Sequence, residues 1–107
     1  MSEAHPIDRL FALIQSRKGS DPSTSYTAKL FSQGVLKIAK KLGEEGVEAA
    51  LAAVAQDKAA LTSESADLLY HLLVLWAACG IEPKDAYAAL EARAGRSGHE
   101  EKASRGS

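Results

Sequence analysis

Only one cysteine occurs among the 107 residues, and aromatic side chains make up just 6% of them. A lone Cys79 cannot close an internal disulfide, and its place at the end of an apolar run reads as a small buried hydrophobe in a reducing cytoplasm. Few aromatics beside abundant alanine disfavour a sheet and suit close-packed helices, so the fold class expected is all-α. Neither charge sign is in excess: 13 basic and 14 acidic residues are spread along the chain. No basic patch stands ready to neutralise nucleic-acid phosphates, so nucleic acid is not an expected partner. The longest unbroken apolar run, residues 72–79, falls far short of the ~20 residues that span a bilayer. No membrane association is expected, and the N-terminus lacks the basic segment and apolar stretch of a secretion signal. The expected location is the cytoplasm.

The length fits one domain, read as residues 1–96 followed by a polar tail over 97–107. A chain this small leaves much apolar surface uncovered, so a homo-oligomer, at least a dimer, is expected. Pro6, Asp8, the apolar set Ile7, Leu10, Phe11 and Ile14, and then Gly19 predict a first helix with its start and stop signals. Residues 19–25 read as a loop and 26–33 as a short helix broken by Gly34. Helical spacing of Ile38, Leu42, Gly46 and Ala49 then predicts one long helix to about Gln56. Residues 57–62 read as a connection, with Thr62 or Ser63 placed to cap a helix over 63–79. Gly80 ends it and Pro83 starts a last helix before Gly95.

Five carboxylates stand out. At about 100° per residue, Lys37, Lys41, Glu44 or Glu45, and Glu48 share one stripe of the long helix, while Glu64, Asp67 and His71 share a stripe of the next. Antiparallel packing would bring the acidic stripes face to face, as helical bundles do to build carboxylate metal sites. Oxygen ligands suit Mg²⁺, with Mn²⁺ as a substitute, better than zinc. The plainer reading is a solvated charged face with lysine–glutamate pairs. Against it, Lys40 to Glu44 and Lys41 to Glu45 run lysine first, the weaker orientation for helix support. The second helix is moreover apolar nearly all round, so its few charges call for partners. Lysines ahead of such a cluster suit a polyphosphate substrate.

At these residues the chain resembles the phosphoribosyl-ATP pyrophosphatase family of the all-α, MazG-like nucleotide pyrophosphohydrolase group. Glu45-x-x-Glu48, fifteen intervening residues, then Glu64-x-x-Asp67 is similar to the group's metal-binding pattern. SYTAKLF (25–31), KIAKKLGEEGVE (37–48), ESADLLYHLLVL (64–75) and the tail SGHEEKASR (97–105) narrow the likeness to the family. The resemblance implies Mg²⁺-dependent hydrolysis of phosphoribosyl-ATP to phosphoribosyl-AMP and pyrophosphate in histidine biosynthesis. It also implies a helical bundle whose four-helix core is completed by dimerisation. Carried over by position, Glu45, Glu48, Glu64 and Asp67 match the metal ligands, and Glu44 an additional ligand or the base that orients water. Lys37 and Lys41 as substrate-phosphate contacts, and His71 as support behind Asp67, are inferences from the stripes. Two alternatives stay open: a general nucleoside triphosphate pyrophosphatase using the same site, and a non-catalytic helical dimer module with solvated acids.

Overall fold

The computed structural model describes residues 5–94, which form five helices and no strand. Helix α1 (Pro6–Ser16) starts where the His5 ring accepts a hydrogen bond from the Ile7 N–H, 3.1 Å, ahead of Pro6 in the first turn. In the loop that follows, the Asp21 carboxylate accepts from both the N–H and the hydroxyl of Ser23. Ser25 then caps α2 (Tyr26–Gln33) by accepting from the Ala28 N–H. Gly34, at φ 89° and ψ 169°, makes a break between α2 and α3 (Val35–Val54) that an L side chain would strain.

Helix α4 (Lys58–Cys79) begins five residues before the expected start. The Asp57 carboxylate accepts from the Ala60 N–H at 2.9 Å, so Asp57 is the cap and Thr62 and Ser63 lie inside the helix. Thr62 turns its hydroxyl back to the Lys58 carbonyl instead. At the far end Gly80 adopts the left-handed conformation and Ile81 N–H closes on the Trp76 carbonyl, a Schellman-type stop. In α5 (Pro83–Arg93) the Asp85 carboxylate reaches back to the Glu82 N–H, 2.9 Å.

The core gathers Phe11 and Ile14 from α1, Leu30 from α2, Ile38 from α3, and Leu73, Val74 and Ala77 from α4. Helices α3 and α4 form a hairpin packed through small residues: Ala49 and Ala52 are buried, and Leu68 lies 3.8 Å from where a Cβ on Gly46 would stand. Polar links also tie the helices together. Lys18 donates to the Ala77 carbonyl at 2.7 Å, and the Tyr87 hydroxyl donates to Asp8 at 3.1 Å.

Two expectations about α4 need correction. Cys79 is exposed, because it is the last residue of a helix that has by then left the core. Nor is α4 covered all round: Leu69 and Asp67 are exposed while His71, Leu73, Val74 and Ala77 are buried. Helix α3 likewise carries an outer apolar sector, Leu36, Val47, Leu51 and Val54, at 60–86% exposure. Among the described residues no single helix is long and apolar enough to cross a membrane. The polar stretch 97–107 lies outside the described residues.

Candidate metal centre

Because the α3–α4 turn is tight and Asp57 fixes the first turn of α4, Glu64 comes to lie across from the acidic turn of α3. Oxygens of Glu45, Glu48 and Glu64 all lie within 4.8 Å of one another. Glu45 and Glu64 are half-buried and Glu48 is exposed, so the cluster sits at the rim of the hairpin. One oxygen each of Glu45 and Glu64 is shielded from solvent with no hydrogen-bond partner. Buried acceptors of this kind are costly unless something satisfies them.

Electrostatics report the same crowding. Burial, more than any neighbour, holds the Glu64 carboxyl above its ordinary value of 4.5, with contacts to Glu45 and Glu48 adding to the rise. Glu45 is also raised, first by burial and then by Glu48 and the charge of Asp67, although its contact with Glu64 works in the other direction. The two carboxyls are therefore raised together, as a pair that burial and mutual crowding make reluctant to carry full charge.

The structure therefore brings together Glu45, Glu48 and Glu64. Asp67 lies outside this close trio and is exposed, near enough for its charge to act on Glu45. Glu44 is exposed and paired with Lys41 at 3.9 Å. It shares with Glu48 an open groove also lined by Lys40, Gly43 and Val47. Lys37 is exposed on the same helix. The lysine on the groove is thus Lys40, which the stripe argument passed over in favour of Lys37 and Lys41. Behind Asp67, the buried His71 places Nδ1 2.8 Å from the Asp67 carbonyl oxygen and Nε2 3.2 Å from the Tyr26 hydroxyl. Tyr26 escaped the sequence reading because it is 45 residues from its partner, with no local pattern to signal the contact.

The donor set fits a hard divalent cation. It consists of carboxylate oxygens without a thiolate, and the two orphaned oxygens are the groups such an ion would satisfy.

A family model described as phosphoribosyl-ATP pyrophosphohydrolase matches residues 7–94. The chain is 60% identical over 99 residues to the phosphoribosyl-ATP pyrophosphatase of Azospirillum brasilense, covering 92% of this chain and 89% of that protein. It is 57% identical over 105 residues to the protein of that name from Parvibaculum lavamentivorans, covering 98% and 96%. A third, from Methylobacterium radiotolerans, is 57% identical over 102 residues, covering 95% of each.

Proposed function

The chain belongs to the phosphoribosyl-ATP pyrophosphohydrolase family, and from that premise we propose that it hydrolyses phosphoribosyl-ATP to phosphoribosyl-AMP and pyrophosphate in cytoplasmic histidine biosynthesis. Water attacks at the α–β phosphoanhydride, and pyrophosphate leaves. The observation that carries the reading is the convergence of Glu45, Glu48 and Glu64 on one point, with two of their oxygens orphaned.

Glu45, Glu48 and Glu64 would hold Mg²⁺, or Mn²⁺ in its place, with Asp67 as a further ligand. When bound, the ion supplies Lewis-acid stabilisation of charge on the phosphate oxygens. Glu44, on the groove side of the cluster, orients the attacking water and accepts its proton. Lys37, Lys40 and Lys41 offer charge to the phosphate chain, Lys41 after leaving Glu44. His71 steadies the helical turn that carries Asp67.

A homodimer completes the molecule in this reading. The acidic stripe of α3 runs between the face packed on α4 and the outer sector of Leu36, Val47, Leu51 and Val54. A second copy seated on that sector would turn two α3–α4 hairpins into a four-helix core and wall the substrate groove.

The test is pyrophosphate release from phosphoribosyl-ATP with and without Mg²⁺, run beside a panel of deoxynucleoside triphosphates. Metal-dependent release from phosphoribosyl-ATP alone supports the reading. Equal rates on dCTP would shift it to a general nucleotide pyrophosphatase, and no release at all would sink it.

A further inference from the structure

Tyr26 is the only aromatic residue among those described that is more than half exposed, at 51%, yet it is held from two directions. His71 Nδ1 faces the Asp67 carbonyl, which can only accept, so Nδ1 carries the ring proton. In that tautomer Nε2 is the acceptor, and the Tyr26 hydroxyl donates to it. The inner face of the Tyr26 ring stacks on Tyr70, with centroids 6.2 Å apart and planes at 22°. The Tyr70 hydroxyl is in turn hydrogen-bonded to Thr27, the next residue of α2. Two consecutive residues of α2 thus clasp two consecutive residues of α4, one turn beyond Asp67.

This leaves an aromatic ring that is held against Tyr70 and His71 yet half exposed, two hydrogen bonds away from the backbone of Asp67. Preorganised rings of this kind bind heteroaromatic bases by stacking, because little side-chain freedom is lost when the partner arrives. A nucleotide whose phosphates lie on the acidic cluster must place its base within one nucleotide's length of it. We propose that the exposed part of the Tyr26 ring seats the purine ring of the nucleotide substrate, with Tyr70, Thr27 and His71 as positioning residues that hold Tyr26 in place. The proposal rests on the pyrophosphohydrolase reading and adds to it where the base sits.

Calorimetric titration of the full chain in Mg²⁺ with two probes, AMP and inorganic pyrophosphate, separates base recognition from phosphate recognition. Tyr26→Leu keeps apolar bulk and removes the π face. It is expected to weaken AMP by about tenfold or more and to leave pyrophosphate affinity unchanged. Tyr26→Phe, which keeps the ring and its stack on Tyr70 but loses the His71 tether, should weaken AMP by clearly less than Tyr26→Leu does. In turnover, Tyr26→Leu should raise KM for phosphoribosyl-ATP with kcat little altered. Unchanged AMP affinity in Tyr26→Leu, equal weakening of both probes, or a Phe variant as impaired as the Leu variant would overturn the assignment. Wild-type release of pyrophosphate keeps the enzymatic reading intact in each of those cases, whereas its absence overturns both.

Discussion

Glu64 shows how a single side chain can be a liability in the free protein and an asset once charge is supplied. Its carboxyl is raised by burial and by two acidic neighbours, so the folded chain binds its proton more tightly than the unfolded chain does. Stability tied to that proton is fully present below the ordinary value of 4.5 and is lost as pH rises through the elevated folded value. In chelator, the thermal midpoint should therefore climb as pH is lowered from 7 toward 5. Glu64→Gln should flatten that slope and raise the midpoint at pH 7, as scanning fluorimetry across the range would show; an unaltered slope in the variant would count against the crowded-carboxylate account. Mg²⁺ should reverse the wild-type trend, because the ion competes with protons for the same oxygens. Glu48→Ala and Asp67→Ala should each cut turnover by about a hundredfold or more while circular dichroism stays helical. Near-normal activity in either would remove that residue from the proposed site. That acids of α3 and α4 face each other could be read from helical spacing, but not which of Glu44 and Glu45 turns inward, nor that Asp67 lies outside the trio of Glu45, Glu48 and Glu64. Tyr26 could not, because its contact with His71 depends on how α2 docks rather than on any pattern along the chain.

At the level of elements, all five helices were legible in apolar periodicity and in start and stop residues such as Pro6, Gly34, Gly80 and Pro83. The start of α4 was not, and the reason is physical. Asp57, Thr62 and Ser63 are all good cap residues, and the intervening Lys58, Ala59, Ala60 and Leu61 are all good helix formers. Local preference ranks the candidates too closely to choose, and the turn geometry after Val54 decides for Asp57, whose carboxylate reaches the Ala60 N–H. Its capping also governs the site, since the roll of α4 two turns later sets where Glu64 points. Asp57→Ala should cost about 1 kcal/mol of stability, read as a lower urea midpoint at unchanged slope. It should also weaken Mg²⁺ activation, which a surface substitution unrelated to the site would leave alone. Substituting Ser63, which lies within α4, should do neither.

Helix α3 presents two apolar faces, and among the described residues only one is covered. Ile38, Ala49 and Ala52 are buried, while Leu36, Val47, Leu51 and Val54 on the opposite side are 86%, 60%, 62% and 81% exposed. Burying each such side chain is worth about 1.5–3 kcal/mol, which supports the proposed seating of a second copy on this sector. With Lys40 and Glu44 at its margin, the sector is continuous with the groove beside Glu48. Closing it with a second copy would therefore alter the site as well as the mass. Sedimentation equilibrium should give a wild-type mass of twice 11.3 kDa, and Leu51→Glu should halve it by placing a charge in the middle of the apolar sector. Loss of the groove wall should raise KM for phosphoribosyl-ATP in the same variant while leaving the monomer helical. A wild-type chain that stays monomeric at micromolar concentration, or a monomeric Leu51→Glu chain with unaltered kinetics, would separate the site from the association face and return the groove to α3 of a single copy.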